Sequence, residues 1–386
     1  MSVRICFKID PFGNPVRTSV KNSLLLLSFC RIINSLNRFS NNESVVLPVA
    51  VTIKELSAAC GLSVSTVSKA LNDYPDVSQE TREFVRATAA RLGYRPSAIA
   101  RSLKLGRTFN LGVLYADDSG SGLAHNYFSP VLEAFKSEAE RRGYDITFIT
   151  HHMGSNQMTY LEHCLYRNVD GVCIVCCDFQ DPEVLELVSG PLPVVTIDHV
   201  FHDHSCVESD NRAGMAELTQ YILSRGHRRI ACIEGSAASV TSVRSTSFLR
   251  TMREAGIDVP EEYLVQSVYH NPAAARQVTE RLLALDSRPT CIIMPDDYAA
   301  LGGMESIRAA GLRIPEDISV AGYDGVPLLQ MCRPRLTTVR QDTVAIGTAA
   351  ARKLAHLIEQ PRITFQETIS VPCQLIPGET VGPPPA

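Results

Sequence analysis

Four side chains able to bind a transition metal stand close together in 198-DHVFHDHSCVESD-210: His199, His202, His204 and Cys206. Imidazole and thiolate suit zinc or copper, but the spacing matches no fixed-frame zinc motif, and a solvated loop is the expected reading. The cysteines of 172-VCIVCC-177 lie inside an apolar run, where a thiol is an ordinary small core residue rather than a redox group. The stretch 120-GSGLAH-125 breaks the dinucleotide fingerprint at its last glycine, and the sequence contains no GxSxG elbow, P-loop or HExxH. No cofactor, resident metal or catalytic acid–base pair is expected, so the chain reads as a binding protein and not an enzyme. Another polar set fits binding better. Asp198 ends one strand-like apolar run, Arg244 begins a helix after another and its loop, Asp297 follows a third, and Tyr127 and Phe128 precede an amphipathic stretch. Carboxylates that accept from hydroxyls, a guanidinium with its fixed fork and an aromatic wall suit a small polyol or sugar.

The elements that must position these residues repeat. Apolar strand candidates at 111–116, 145–150, 171–177, 193–198, 230–235, 290–295 and 318–324 alternate with helix-like stretches at 130–143, 212–226, 244–256, 273–286 and 298–311. Short buried strands alternating with amphipathic helices build parallel α/β sheets. Two such units in sequence imply two lobes with a cleft between them, and ligands of open α/β sheets bind beyond the carboxyl ends of the strands. Asp210 and Asp324 are expected to brace loops there.

Bulk properties agree with a soluble, multidomain protein. The 386 residues are 45% hydrophobic and 20% charged, and no apolar run nears the roughly 20 residues of a membrane span. Twelve scattered cysteines point to a reducing cytosol rather than a secreted disulfide framework. The overall charge of −4 conceals an asymmetry. Residues 51–108 hold nine Lys/Arg against five Asp/Glu, a net of +4, whereas residues 109–386 hold 22 against 34, a net of −12. Only the front end suits a polyanion.

That front end carries strong local signals. In 52-TIKELSAACGLSVSTVSKALN-72, Thr52 can cap a helix with Ile53, Leu56 and Ala59 on one face, and Gly61 supplies a turn. Ser63 caps a second helix that buries Val67, Ala70 and Leu71 and leaves Val64, Ser65, Thr66, Ser68 and Lys69 on or near the outside. Two short helices joined by a tight turn can enter a major groove. Ser78 caps a third helix whose Phe84, Val85, Thr88 and Leu92 can close the core. Ser97 then opens a stretch of about eight residues, too short to be helical alone in water. DNA and a twin helix from a second subunit could supply the missing partners, with Leu103 wedged into the minor groove and Arg101 and Lys104 near phosphates or groove edges. Residues 1–50 pair a basic start with the apolar 23-SLLLLSFCRII-33 but offer no small-residue cleavage site. They are expected to be an unstructured or misassigned extension, with a start near Val46 or Val51.

From Thr52 to Thr108 nearly every residue resembles the DNA-binding headpiece and hinge helix of the LacI/GalR family of bacterial transcription regulators. The resemblance continues through 208-ESDNRAGMAELTQYILSRGHRRIACIEG-235, 296-DDYAALGGMESIRAAGLRIPEDISVAGYDG-325 and 335-RLTTVRQD-342, which are similar to the family's effector-binding, dimerising core. It implies an all-α helix-turn-helix headpiece with a hinge helix, followed by an α/β two-lobed core of parallel sheets like that of periplasmic binding proteins. The implied boundaries are 51–95 for the reader, 96–108 for the hinge, 109–208 with 317–341 for the lobe nearer DNA, 209–316 with 342–374 for the distal lobe, and 375–386 for a tail. By the same likeness Val64, Ser65 and Lys69 distinguish operators, and Lys69 suits guanine O6/N7. Thr52, Ser63, Thr66, Ser68 and Asn72 become phosphate or structural positions, Ser97, Arg101, Leu103 and Lys104 belong to the hinge, and Arg244 and Asp297 match effector contacts. The implied function is a cytoplasmic, homodimeric repressor of a near-palindromic operator under control of a small molecule, expected to be a sugar. No leucine-heptad tail follows the core, so a dimer is expected. Three departures bear on the ligand: Ser247 replaces a frequent glycine, 271-NPAAARQ-277 has alanines where some relatives place an aromatic ring, and the ending lacks the family's usual arginine.

Overall fold

A capping box starts the reader: Glu55 N–H donates to Thr52 Oγ1 at 3.3 Å while Thr52 N–H donates to the Glu55 carboxylate at 2.7 Å, which satisfies two otherwise orphaned groups. The computed structural model describes residues 6–9, 15–17, 51–96, 102, 105–116, 120–154 and 156–385. In the segment expected to lack structure, β1 (Cys6–Ile9) pairs antiparallel with β2 (Pro15–Arg17); the rest of 1–50 lies outside the described residues. Helices α1 (Ile53–Cys60), α2 (Val64–Leu71) and α3 (Gln79–Leu92) follow, with Gly61 and Gly93 in the left-handed conformation that ends α1 and α3. Leu56, Val67, Ala70, Val77, Val85 and Ala89 form their shared core. Each larger member contributes about 1.5–3 kcal/mol by leaving water. Phe84 and Ala59, expected inside, are exposed. The buried stripe of α3 runs through Val85, Thr88 and Ala89, and Phe84 stands about 100° off it.

The chain divides into one compact unit ending at Ser97 and a second from Ala98 onward. In the second, β3 (Asn110–Tyr115), α4 (Phe128–Arg141), β4 (Asp145–Ile149), the small hairpin β5 (His152–Met153) and β6 (Asn156–Gln157), α5 (Tyr160–Arg167), β7 (Gly171–Cys176), α6 (Pro182–Val188), β8 (Val194–Ile197) and β9 (Ser205–Ser209) make the first lobe. Next come α7 (Asn211–Ser224), β10 (Ile230–Glu234), α8 (Ser239–Glu254), β11 (Leu264–Gln266), α9 (Pro272–Leu283), β12 (Cys291–Ile293), α10 (Asp297–Ala309) and β13 (Ser319–Ala321), the second lobe. The chain closes with β14 (Thr338–Arg340), α11 (Thr343–Glu359), β15 (Thr368–Val371) and β16 (Gln374–Ile376).

Both main sheets are parallel throughout, with order β15-β9-β8-β7-β3-β4 in the first lobe and β11-β10-β12-β13 in the second. Helices α4 and α11 cover one face of the larger sheet, and α5 and α6 the other. The returning segments are exchanged relative to expectation. Ser319–Ala321 pairs with Cys291–Ile293 in the second lobe, and 343–371 belongs to the first, where Ile346, Ala350 and Leu354 pack into its core. Parallel pairing and apolar packing decide this assignment, and neither is local in sequence. The expected tail is no loose end. Val320 N–H donates to Thr380 O at 2.9 Å, and buried His227 holds Gly382 O through Nε2 at 2.9 Å.

Candidate functional sites

On the reader, α2 presents Val64 and Ser65 to solvent at its first turn. Ser63 is committed to the cap: its Oγ accepts from Thr66 N–H at 3.1 Å and meets Thr66 Oγ1 at 2.8 Å. Asn72 ends α2 by donating Nδ2–H to Ser68 O at 2.7 Å. Lys69 is paired with Asp76 on the exposed side. Thr52 holds the start of α1. Ser97, Arg101, Leu103 and Lys104, the residues expected to form a hinge, lie outside the described residues.

In the core, a cleft of about 910 Å³ opens between the lobes at the carboxyl ends of β3, β7 and β8 on one side and β10 and β11 on the other. Both sheets reverse their winding direction at these ends, between β3 and β7 and between β10 and β12, and that is where open α/β sheets leave a crevice. Tyr127, Phe128, Asp198 and Arg244 line it. Tyr127 is the last residue before α4 and Phe128 its first. Tyr127 Oη–H donates to Asp198 Oδ2 at 2.9 Å. Burial and the neighbouring carboxylate push the Tyr127 phenol well above its ordinary value, and burial raises Asp198, against the pull of Tyr127 and Arg244.

Arg244 sits in the second turn of α8, which starts at Ser239 and not at Arg244 itself. Its Nε–H donates to Asn211 Oδ1 at 2.8 Å, its Nη1 to Pro295 O at 3.2 Å, and its guanidinium lies 3.6 Å from the centre of the Tyr323 ring. Contacts among the described residues bridge the cleft between the lobes. His125 packs edge-on against His270 with ring centres 4.2 Å apart, and Ser239 Oγ meets His199 Nδ1 at 2.8 Å.

Asp297 departs from expectation. It is fully buried and absent from the cleft lining; Thr338 donates to its Oδ1 and Val326 N–H to its Oδ2, each at 2.6 Å. As the first residue of α10, after Asp296 has taken the capping role, it points at the crossing segments and braces them. Asp324, expected to brace, lines the cleft instead, with Gln341 Nε2 donating to its Oδ1 at 2.7 Å. Asp198 and Asp324 both hold positive φ, 61° and 104°. Such strain concentrates where a side chain must be aimed.

Comparison with known proteins matches residues 52–97 to the bacterial regulatory proteins of the lacI family and residues 219–381 to the periplasmic binding protein-like domain. The HTH-type transcriptional repressor PurR of Pectobacterium carotovorum subsp. carotovorum (strain PC1) is 33% identical over 318 residues, 81% of this chain and 91% of its own length. PurR of Vibrio cholerae serotype O1 (strain M66-2) is 31% identical over 315 residues, 80% and 91% of the two chains. The chain belongs to the lacI family. It is a DNA-binding transcriptional repressor and not an enzyme.

The repressor shares its fold with the lac repressor dimer bound to operator and the anti-inducer ONPF, at TM-score 0.71 and 24% identity over 86% of this chain and 99% of that one. The CelR-cellobiose complex gives TM-score 0.64 at 24% identity, with the same coverages. No helix of the described residues is long and apolar enough to cross a membrane, and they hold no group of three His, Cys, Asp or Glu able to bind a metal.

Sequence reasoning missed several cleft residues of the repressor. His199 stacks flat on Phe179, centres 4.2 Å apart with 6° between planes, in place of the expected solvated loop. Tyr269 and His270, just before the alanine-rich 271–277, supply rings that those alanines cannot. The common signal was position: each of these residues stands just beyond a strand end. Ser247 is outside the cleft lining and donates to Arg212 O at 2.7 Å, tying α8 to α7.

Proposed function

We propose that the repressor acts as a homodimer in the cytoplasm, placing two α2 helices in successive major grooves of a near-palindromic operator, and that a ring-shaped polar small molecule in the cleft sets its operator affinity. Val64, Ser65 and Lys69 read bases. Thr52, Ser63, Thr66, Ser68 and Asn72 hold phosphates or the helix ends. The hinge residues Ser97, Arg101, Leu103 and Lys104 complete the contact in the central minor groove. The observation that carries effector control is the cleft itself, whose walls come from both lobes and touch at His125–His270 and His199–Ser239. A molecule held by both walls binds the closed arrangement better than an open one, and differential affinity is what shifts an equilibrium. Tyr127, Phe128, Asp198 and Arg244 make the contacts, with Asp324 in the place expected of Asp297.

A sugar suits the paired carboxylates, the guanidinium and the aromatic wall. The flat Phe179–His199 pair favours a second reading, a planar heterocycle stacked against it. The test is selection of bound sequences from a random DNA pool, repeated with panels of sugars and nucleobases. A palindromic consensus whose enrichment responds to one compound supports the proposal. Failure to enrich any DNA refutes it.

A further inference from the structure

Arg244 is held from behind the cleft by residues that do not line it. Its Nε–H donates to Asn211 Oδ1 at 2.8 Å, and the orientation of that amide is fixed at its other end, where Asn211 Nδ2 donates to Ser209 O at 3.2 Å. Its guanidinium lies over Tyr323, 3.6 Å from the ring centre, and Tyr323 Oη meets Cys373 Sγ at 3.9 Å. Asn211 and Tyr323 are 3% and 0% exposed and absent from the cleft lining, so what they offer goes to the arginine and not to a ligand. A guanidinium has five N–H donors. One goes to Asn211 and one to Pro295 O, which leaves the rest of the fork for the cleft that Arg244 lines. Each rear partner also stands where the chain passes between the lobes. Asn211 follows β9 of the first lobe and opens α7 of the second, Tyr323 follows β13 on the way back to α11, and Cys373 follows β15 and packs against the core of the second lobe. These crossings are fastened to one another. Asp210 N–H donates to Val371 O at 2.7 Å, and α7 passes so near that a methyl on Gly214 would lie 2.7 Å from Tyr323 Oη and 3.0 Å from Cys373 Cβ.

We infer that Asn211 and Tyr323 are the positioning residues of the Arg244 fork, and that through them the fork is coupled to the crossings between the lobes. This rests on the proposed reading of the cleft as the effector site and adds how occupancy of that site is passed on. A binding group must be held within about 0.5 Å of its productive geometry by groups that do not themselves touch the ligand. The Asn211 acceptor fixes the rotation of the fork, and the Tyr323 face fixes its plane. Removing the acceptor leaves a buried Nε–H unpaired, which is costly enough to turn the fork out of place. Because the same two partners belong to the crossings, a fork that moves and a crossing that moves are one event.

The experiment reads Arg244 directly. In full-length protein labelled with nitrogen-15 arginine, the Nε–H resonance that disappears in Arg244→Lys is that of Arg244. It is expected upfield, under the Tyr323 ring, and to exchange with water about tenfold or more slowly than surface arginine Nε–H groups. Asn211→Leu, which removes the acceptor at similar size, is expected to lose that protection, and Asn211→Asp, which keeps an acceptor oxygen, to restore it. Tyr323→Leu is expected to lose the upfield shift and Tyr323→Phe to keep it. Amide hydrogen exchange read by mass spectrometry is expected to rise about tenfold at 209–212, 321–325 and 371–374 in Asn211→Leu and Arg244→Lys, with 111–115 of β3 unchanged and Asn211→Asp like wild type. In the DNA selection with the panels of sugars and nucleobases, Asn211→Leu is expected to enrich the wild-type consensus with a response about tenfold or more weaker, and Asn211→Asp to respond normally. Each variant is checked for an unchanged circular dichroism spectrum, and should Asn211→Leu not fold, the wild-type resonance and the Tyr323 pair decide. The inference is overturned if the Arg244 resonance is unprotected in wild type, if Asn211→Leu behaves like Asn211→Asp, if the ring variants leave the shift unchanged, or if the crossings exchange no faster without the fork. The resonance and exchange measurements use neither DNA nor effector, so the two proposals fail differently. A protein with a positioned fork that enriches no operator refutes the effector-gated repressor alone, whereas one that enriches an operator and responds to a compound through an unpositioned fork refutes only this inference.

Discussion

Replacing Asp324 with asparagine tests whether the cleft stores strain for a ligand. The wild-type carboxyl sits at φ 104° beside Asp198, Asp296 and Arg244, and is raised from an ordinary 3.8 to about 7, chiefly by burial. A carboxylic acid whose folded value lies above its unfolded one holds its proton more tightly when folded. Its contribution is therefore most favourable at low pH, declines as pH rises from about 4, and reaches its full penalty above about 7. About three decades of displacement at about 1.4 kcal/mol each give a ceiling near 4 kcal/mol. Contact with the open cleft reduces the effective figure to about half.

The substituted amide keeps an oxygen for the Gln341 side chain and removes the charge. The advantage of Asp324→Asn over wild type is expected to grow by about 1–2 kcal/mol between pH 5 and pH 8. The chain has no tryptophan, so urea unfolding of the core is followed by circular dichroism. Comparing the same pair at two pH values cancels any pH-independent effect of the substitution. A difference between variant and wild type that is equal at pH 5 and pH 8, or that falls with pH, refutes the idea that Asp324 is held against its charge.

Three further outcomes are expected. Lys69→Ala breaks only an exposed pair with Asp76, so folding persists while base preference at one operator position relaxes by about 1–3 kcal/mol, as read by DNA selection; an unchanged consensus counts against Lys69 as a reader. Leu103→Ala is expected to weaken specific operator binding with little change in melting temperature, and normal binding disproves the minor-groove wedge. Gly302→Ala puts a methyl 1.9 Å from Pro272 O, forces α10 away from α9 and lowers stability by about 1–3 kcal/mol or more in a thermal melt, where an unshifted transition contradicts the close helix contact.

How much of this was legible in the sequence depended on how local the cause was. The reader was legible nearly residue by residue, because the caps at Thr52, Ser63 and Ser78 and the left-handed Gly61 act within one turn. The long buried strands of the core showed as apolar runs, but β11, β14 and β16 are three residues each and leave no periodicity to detect. Lobe membership of the returning segments failed for a stronger reason. A buried apolar run says that a strand is covered on both faces and says nothing about which sheet it joins, so Ser319–Ala321 and Thr343–Glu359 were interchangeable until pairing and packing were seen.

The same limit explains the exchange of Asp297 and Asp324. Both follow an apolar strand and both are carboxylates, and sequence alone cannot say which enters the cleft. Two backbone facts decide it. Asp296 takes the cap of α10 and so turns Asp297 toward Thr338 and Val326, while Asp324, at positive φ, lines the cleft. The segment from Ala321 to Thr343 that carries Asp324 also carries Gln341 and links the second lobe to α11 of the first. The Asp324–Gln341 hydrogen bond therefore ties together the two ends of a segment that crosses between the lobes, so either residue is coupled to the path of that crossing.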